Sequence, residues 1–301
     1  MRAWARKAGS HFPPDLTAAT VRLRRAASPA ASAPTTSREP IRFAFGPGAR
    51  IVEEAYATAF GARLAVVDVP RGGDIRRCLV SLPQNGLLTQ QSAMSLLRPE
   101  RLVFAYEQAM ALAVAVVPQP RSALLLGLGG GAMLRFLRAY FPDCAATVVE
   151  YDPTVLRLAR RHFRIDHPVE LAEAADVVRH AEGRFDAILV DIYGGHGFNL
   201  PPLEFWEECA ARLEPGGCIA VNWADARDKA LYLPHARRAA SLAARSYFLA
   251  LRGFKDNVVQ LCAADPALDV KALRRCAAAL ARRQKRKSII ERCAILDGFP
   301  D

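Results

Sequence analysis

A run of glycines between an apolar segment and a helical segment constrains this chain more than any other feature. The segment Gly127–Gly131 follows the uncharged run at 122–126 and precedes the sequence AMLRFLRAYF. An apolar run that ends in glycines is typical of a buried parallel strand. Glycine lets the backbone turn sharply and approach a ligand closely, and the next helix offers free N–H groups and the positive end of its dipole. The segment therefore predicts a ligand-binding loop between a strand and a helix.

The same alternation continues along the chain and predicts an α/β fold. Strands are predicted at 122–128, 145–152, 169–173, 185–193, 218–223 and 257–265, and helices at 132–141, 153–163, 202–213 and 235–248. Strands that alternate with helices favour a mainly parallel sheet covered by helices on both faces. Trp206 and Trp223 are interpreted as core residues, and Asp152 as the N-cap of the second helix.

Composition shifts divide the chain into four predicted parts. Residues 1–40 are rich in Ala, Ser, Pro and Arg and are predicted to be a disordered basic tail, with a transit peptide as the alternative. Residues 41–98 carry short strand patterns and a turn signal at 83–86, and predict a small β-rich lobe. Residues 99–266, which begin with a helical pattern at 99–117, are predicted to be the ligand-binding domain that carries the glycine loop. Residues 267–301 are predicted to be a basic C-terminal helix and tail.

The ligand class follows from the loop and from Glu150, which ends the next strand about 20 residues on. An acid at this position accepts hydrogen bonds from ribose hydroxyls. The loop is not a phosphate-binding Walker A sequence, because no Lys and Ser/Thr follow the glycines. The loop also departs from the dinucleotide-binding pattern G-x-G-x-x-G, because its third glycine, Gly131, follows too early. This spacing suits an adenosine ligand without a pyrophosphate. S-adenosylmethionine and its relatives therefore fit better than NAD.

Charge and composition exclude several other classes of protein. The 41 Lys and Arg residues against 30 Asp and Glu give a net charge of +11, but residues 1–38 and 271–292 alone carry +6 and +8. The body of the chain is nearly neutral, which argues against a nucleic-acid partner. No apolar run is long enough to span a membrane. Seven cysteines without close pairing, and scattered histidines, predict a reduced cytoplasmic protein with no metal site.

The motifs taken together resemble a known family. The segments LLLGLGGGAMLRFL, VVEYDP, FDAILVD and LEPGGCIAVNW are similar to the spermidine synthase family, the polyamine aminopropyltransferases. The likeness runs over roughly residues 60–265. It implies a Rossmann-like class I methyltransferase fold, with S-adenosylmethionine or its decarboxylated form as co-substrate. It also implies a small-molecule acceptor, a polyamine in the first instance, and a homodimer as one possible assembly.

The resemblance also implies which residues form the site. Gln91 takes the place of a glutamine at the amino-acid end of the nucleoside ligand, and Tyr106, followed by Glu107, that of a tyrosine beside the substrate cleft. The remaining ligand-binding positions are Gly127, Gly129, Gly131, Glu150, Tyr151, Glu173, Ala174 and Asp191. Asp191 matches the first acid of the family's Asp-Ser-Ser-Asp-Pro segment and, with Tyr106, is a candidate catalytic residue.

Two departures from the family concern the acceptor. Gly130 stands where the loop usually carries an aspartate, and Gly194 stands where the second acid of Asp-Ser-Ser-Asp-Pro would deprotonate the amine. A base within reach of the reacting proton contributes about 10²–10⁴-fold to the rate. Asp191, Glu107 and Glu204 are candidate substitutes. His196 is a further candidate base, because an ordinary histidine titrates near neutral pH; it is otherwise an ordinary loop histidine.

Three functions stay open at this point. The first is an enzyme that transfers an aminopropyl group, a methyl group or another alkyl group from a sulfonium. The second is a nucleoside-binding module without catalysis, in which the acceptor-site acids would be dispensable. The third adds polyanion binding through the basic segment 271–292, which would weaken steeply with salt. The sequence does not discriminate intact from decarboxylated adenosylmethionine, and it does not give the acceptor.

Overall fold

Two β-sheets organise the part of the chain that the structure describes. This structure is a computed structural model, and it describes residues 44–56, 63–82, 88–192, 200–224, 229–251 and 257–296. The first sheet has four strands and the second has eight. Helices cover both faces of the larger sheet, as the alternating pattern predicts.

The smaller sheet is an antiparallel meander that precedes the larger one. Its strands are β1 (Arg50–Tyr56), β2 (Arg63–Arg71), β3 (Asp74–Leu82) and β4 (Thr89–Ser95), in the order β1-β2-β3-β4. Gly72 and Gly73 join β2 to β3 with φ angles of 51° and 82°. A two-residue hairpin loop with positive φ at both positions matches the twist of the flanking strands and favours glycine. The predicted small β-rich lobe is confirmed.

The larger sheet is mixed. Its strands are β5 (Ser122–Leu126), β6 (Ala145–Glu150), β7 (Glu170–Leu171), β8 (Phe185–Val190), β9 (Leu213–Ala224), β10 (Arg245–Leu251), β11 (Asn257–Ala263) and β12 (Cys293–Leu296). The order is β12-β10-β11-β9-β8-β5-β6-β7. The pairs from β9 to β7 are parallel, and those from β12 to β9 are antiparallel. The carboxyl ends of β5 and β8 meet at the centre, where an open parallel sheet binds ligands.

The helices bury apolar faces on both sides of this sheet. They are α1 (Ala105–Met110), α2 (Leu112–Ala115), α3 (Ala132–Tyr140), α4 (Pro153–His162), α5 (Ala174–His180), α6 (Phe205–Ala211), α7 (Lys229–Ser241) and α8 (Val270–Arg283). One core contains residues of α1 to α4 and α8, and the other contains residues of α5 to α7. Within the described residues, no helix is both long and apolar enough to cross a membrane.

Successive side chains of the two central strands, β5 and β8, point alternately into the two cores. Leu125 and Leu189 face one core, whereas Leu124 and Ile188 face the other. Strands buried on both faces read as continuous apolar runs, which is why the sequence pattern identifies them.

The aromatic residues predicted as core, Trp206 and Trp223, are confirmed as such. They are 2% and 1% exposed, and their ring centroids are 5.5 Å apart. Their indole nitrogens donate to His235 and to Gln260. The predicted cap is confirmed too, because Asp152 accepts hydrogen bonds from the amides of Thr154 and Val155 at the start of α4.

Several predicted elements differ from those observed. The helix predicted over 99–117 begins only at Ala105 and is divided into α1 and α2. The segment 235–248, predicted as one helix, contains the end of α7 and the start of β10. Pro215, Gly216 and Gly217, which follow the helix predicted at 202–213, lie within β9. β7 has only two residues.

The C-terminal segment is built into the larger sheet. α8 begins with its N-cap Asp269 and buries Leu273, Ala277 and Leu280. A short 3₁₀ helix (Ile289–Arg292) then leads into β12, which pairs with β10. The predicted C-terminal helix is therefore limited to Val270–Arg283, and the described chain after it ends in an edge strand, β12.

All seven cysteines have free thiols, and all are buried except Cys276, which is partly exposed. Burial raises the pKa of the Cys78 thiol to about 12 and that of Cys144 to about 11. A thiol that is protonated at neutral pH is unreactive, so these side chains act as small apolar groups.

Candidate active site

A cavity lies where the glycine loop, α1, β4 and the end of β8 meet. Six of the predicted site residues line it: Gln91, Tyr106, Gly127, Gly129, Gly131 and Asp191. Ser92, Glu107 and several apolar residues, among them Met110 and Leu125, complete the lining. The lining described here holds two carboxyl side chains and no lysine, arginine or histidine. Such a site favours a cation.

The loop needs glycine at position 127 because two strand ends approach each other there. Gly127 has a φ of 97°, and a Cβ atom added to it would lie 2.3 Å from the carbonyl oxygen of Asp191. The Gly127 amide donates to Val149 at 3.0 Å, and the Asp191 amide donates to Leu126 at 2.9 Å. The glycine loop and Asp191 are therefore fixed against each other by backbone contacts.

Two further loop glycines lead into α3, and a Cβ atom added at the second, Gly131, would lie 2.3 Å from Ile165 Cδ1 in the core. Gly129 and Gly131 have φ angles of 51° and 72°, in the left-handed region that glycine adopts without strain. Gly131 is the N-cap of α3, and it makes no side-chain cap hydrogen bond because it has no side chain. Amides at the start of a helix favour electron-rich atoms of a ligand. Backbone without side chains at a helix N-terminus is the cradle that an adenosine ligand requires.

Glu150 holds the glycine loop in shape. It is 8% exposed, and one carboxylate oxygen accepts from the amides of Leu128 (3.1 Å) and Gly129 (3.3 Å). The other oxygen accepts from Tyr151 and Asp152, both at 2.9 Å. Burial raises the pKa of Glu150, and the four amide donors oppose that shift. These bonds use the acceptor sites that a carboxylate offers, so Glu150 shapes the loop directly.

Tyr106 and Asp191 form a hydrogen-bonded pair in the cavity. Tyr106 is 7% exposed; burial raises the pKa of its phenol, and the hydroxyl donates to Asp191. Asn222, on β9, donates to Asp191 Oδ1 at 2.8 Å, and Asn257, on β11, donates to Asn222 at 3.1 Å. Burial raises the pKa of Asp191 above its ordinary value, and the donors Asn222 and Tyr106 only partly offset that shift. The carboxylate of Asp191 is thus held in a fixed orientation.

Glu107 is the second carboxyl group of the cavity. It is 3% exposed, and its Oε2 atom accepts from the backbone amide of Phe104 at 3.0 Å. Burial raises its pKa to about 8, assisted by the charge of Asp191 and opposed by Arg135 and by backbone amides. At neutral pH this side chain is mostly protonated.

Gly130 lies in a space already taken by other side chains. A Cβ atom added there would meet Ser92 Oγ at 2.6 Å and Phe163 Cδ1 at 3.1 Å. Ser92 is 4% exposed and lines the cavity. An aspartate at Gly130 therefore does not fit unless Ser92 and Phe163 shift.

The other predicted residues that the structure describes do not line this cavity. Tyr151 is 45% exposed at the end of β6. Glu173 is exposed before α5, and Ala174 is buried in its first turn, both close to the carboxyl end of β7. Glu204 is exposed and precedes α6. His196 and Gly194 lie outside the described residues.

Sequence reasoning missed Asn222, Asn257 and Ser92. Asn222 and Asn257 are far apart in the chain and meet only because β9 and β11 pair in the sheet. A polar residue near the end of an otherwise apolar strand is the one local signal that Asn222 gives. Among the described residues, no cluster of three or more His, Cys, Asp or Glu could hold a metal ion.

The family model that matches this chain describes a methyltransferase domain and covers residues 123–217. A polyamine aminopropyltransferase from Chromobacterium violaceum is 34% identical over 164 residues, which are 52% of this chain and 61% of that protein. The chain thus spans less than two thirds of the curated relative it matches.

Two solved structures share the fold. A probable spermidine synthase from Corynebacterium glutamicum matches with a TM-score of 0.64 and 19% identity, over 83% of this chain and 91% of that one. A spermidine synthase in complex with the transition-state analogue AdoDATO matches with a TM-score of 0.55 and 19% identity, over 74% and 75% of the two chains. At this identity the likeness concerns the fold.

Proposed function

We propose that this spermidine synthase-like protein, which has the class I methyltransferase fold, transfers an aminopropyl group from decarboxylated S-adenosylmethionine to a small amine. The observation that carries the proposal is the cavity in which the glycine loop meets the hydrogen-bonded pair Tyr106–Asp191. A nucleoside cradle next to a fixed carboxylate suits an electrophilic sulfonium and a cationic acceptor.

The charge of the cavity supports the decarboxylated co-substrate. Glu107 and Asp191 line it, and no lysine, arginine or histidine is among its described lining residues. Intact adenosylmethionine would bring a carboxylate close to Asp191, with no cation among the described lining residues to offset it, which disfavours binding. The decarboxylated form carries positive charge only.

Each residue has a simple role in this reaction. The sulfonium carbon is already electrophilic, so catalysis consists mainly of positioning and of removing a proton from the acceptor. The loop around Gly127 and the start of α3 would hold the nucleoside, with Gln91 at its amino end. Asp191, oriented by Tyr106 and Asn222, would align the acceptor amine by hydrogen bonding.

Calorimetric titration with decarboxylated adenosylmethionine, intact adenosylmethionine and methylthioadenosine tests the binding half of the proposal. We expect the decarboxylated sulfonium to bind more tightly than the intact one. Incubation with putrescine, followed by mass spectrometry, tests transfer. Asp191→Asn, which weakens the alignment of the amine, should lower kcat by about 10²-fold, whereas Asp143→Asn, an exposed control, should leave it unchanged.

Methyl transfer is the second candidate function. The match to a methyltransferase domain supports it, and so does the space beside Gly130, which Ser92 and Phe163 occupy so that an acceptor-binding aspartate does not fit. Tighter binding of intact adenosylmethionine, with transfer of a methyl group, would favour this reaction over aminopropyl transfer. Binding without any transfer would favour the non-catalytic nucleoside-binding module.

A further inference from the structure

We propose that Glu107 is the base that accepts the proton of the substrate amine, which enters the cavity as an ammonium ion. This inference rests on the proposed transfer to an amine and names the residue that makes the amine nucleophilic. Glu107 lines the same cavity as Tyr106 and Asp191 and is 3% exposed. The two other candidate acids differ: Glu204 is exposed before α6 and does not line this cavity, and Asp191 is already engaged by side-chain donors.

The hydrogen-bond partners separate the roles of the two cavity acids. Asp191 accepts from the side chains of Asn222 and Tyr106, and both bonds stabilise its ionised form. The acceptor bonds of Glu107 come from backbone amides, those of Phe104 and Val103. Two carboxylates in one desolvated site do not both ionise readily. The exchangeable proton of the pair therefore resides on Glu107, and Asp191 stays the carboxylate.

Three groups set the charge around Glu107. Asp191, from the end of β8, raises its proton affinity, and Arg135, from α3, lowers it. Tyr106, on the same helix, stays a neutral phenol at ordinary pH because burial raises its pKa. Arg135 donates through Nε and Nη1 to the carbonyls of Pro99, Gly130 and Phe163, whereas its buried Nη2 has no hydrogen-bond partner among the described residues. A ligand cation that enters the cavity would add positive charge and favour the ionised form of Glu107.

The proton transfer balances without a further reactant. The ammonium gives one proton to the carboxylate of Glu107, which becomes a neutral carboxylic acid. The freed nitrogen lone pair forms a bond to the carbon next to the sulfonium sulfur, and the electrons of the carbon–sulfur bond go to sulfur. A neutral thioether leaves, and the product is a protonated secondary amine. Glu107 then returns its proton to solvent.

Glu107 is also the third residue of α1, where its side chain caps the amide of Phe104. A purely structural capping role is therefore the alternative. The variant Glu107→Gln separates the two, because glutamine caps a helix in the same geometry as glutamate but is not a base. Glu182→Gln is the matched control, since Glu182 is exposed.

The measurement is the pH dependence of kcat/KM for putrescine between pH 6 and pH 10. For the wild type we expect activity to rise with an inflection near pH 8, well below the pKa of about 10 of an alkyl ammonium. Glu107→Gln should lose this inflection, with kcat at pH 9 lower by about 10²–10⁴-fold. Glu182→Gln should reproduce the wild-type profile. An unchanged profile in Glu107→Gln would overturn the inference and leave the proposed function intact.

A second measurement on the wild type covers the case in which Glu107→Gln does not fold. Putrescine is titrated into protein saturated with methylthioadenosine, in buffers of different ionisation enthalpy. We expect binding at pH 7 to release close to one proton, about half a proton at pH 8, and almost none above about pH 9. Binding without proton release contradicts the role of Glu107. A wild-type protein that binds none of the sulfonium ligands and transfers nothing overturns the proposed function and this inference together.

Discussion

At the scale of single residues, the chemistry of the cavity depends on how each carboxyl group is surrounded. Glu150 and Glu107 are both buried glutamates that accept backbone hydrogen bonds. Glu150 has four amide donors, which favour its charged form. Glu107 has fewer donors and faces Asp191, and its pKa is about 8. The same type of side chain therefore fixes the shape of a loop in one place and titrates near pH 8 in the other.

The raised pKa of Glu107 predicts a pH dependence of stability. The folded protein keeps a proton on Glu107 up to about pH 8, whereas the unfolded chain releases it near the ordinary value of 4.5. The folded state binds more protons in this window, so the free energy of unfolding decreases as the pH rises from about 5 to 8. We expect Glu107→Gln to lose less stability than the wild type over this range in urea unfolding. Parallel curves for the two proteins would show that Glu107 is not protonated in the folded state.

Site residues could be predicted from the sequence where the signal lies within a short segment of the chain. The glycine loop, Glu150, Tyr106 and Asp191 are found from the sequence because each belongs to a short motif at the end of a strand or in a helix. Asn222 and Asn257 are not, because their contact depends on the pairing of β9 with β11. The hydrogen bonds of Glu150 to the loop were not predicted either, because an acid in that position predicts a contact with the ligand.

At the scale of elements, the ends of β5 and β8 meet at Gly127. This is the loop position at which we expect an added side chain to be tolerated least. Gly127 and Gly183 have nearly equal φ angles, 97° and 95°, but only Gly127 lies against another backbone. Alanine at Gly183 should therefore cost about 1–3 kcal/mol through backbone strain alone. Gly127→Ala should cost a further 1–3 kcal/mol or so, because its Cβ would overlap the Asp191 carbonyl.

Chemical denaturation of both variants measures the difference directly. The pair is matched in residue type and backbone angle, so the comparison isolates the close contact. Equal losses of stability would mean that the backbone at Asp191 yields to the new atom. Gly127→Ala should also weaken nucleoside binding, whereas Gly183→Ala should not.

Element boundaries were predictable where the periodicity was unambiguous. β5, α3, β6 and α4 agree with the sequence pattern within a few residues. The prediction of one helix over 235–248 was wrong. It arose because the alanines and arginines of this segment favour a helix. In the structure, tertiary pairing of β10 with β11 and β12 overrides this propensity from Arg245 onward. α7 begins earlier than predicted and contains Pro234, a residue that argues against a helix interior.

At the scale of the whole molecule, one glutamate connects the smaller sheet to the larger domain. Glu53 of β1 bonds Arg157 and His162 of α4, each at 2.6 Å, and lies 3.4 Å from Arg161. The hydrogen bond from Arg157, followed by that from His162, lowers the pKa of Glu53 from 4.5 to about 2. Its stabilisation is therefore present above pH 4.5 and is lost as the pH falls towards 2.

The corresponding prediction concerns acid stability. Glu53→Gln should cost about 1 kcal/mol near neutral pH, because solvent screens its half-exposed arginine partners, and the gap to the wild type should close near pH 2–3. Glu54→Gln is the control, since Glu54 pairs with Arg63 inside the smaller sheet. Urea unfolding at pH 3 and pH 6 checks both variants. A gap that stays constant with pH would exclude this ionic contact as a source of stability.

The four-part division of the chain stays a prediction, as do a homodimer and a cytoplasmic location. The C-terminal segment bears on the division, because β12 completes the edge of the larger sheet next to β10. Its basic residues face outward from α8, while Leu273 and Leu280 pack inside. In the sequence, this segment was separated from the rest by its positive charge alone. Charge does not predict strand pairing, so the pairing of β12 with β10 was not predicted.

The four amide bonds of Glu150 have a consequence for how a nucleoside would bind. Two of them hold Leu128 and Gly129 in place from within the protein, so this half of the cavity has its shape before any ligand arrives. Ordering a loop on binding costs conformational entropy, and a loop that is already ordered avoids that loss. Nucleoside recognition here should therefore show a small entropic penalty, with affinity determined by contacts and by the release of water.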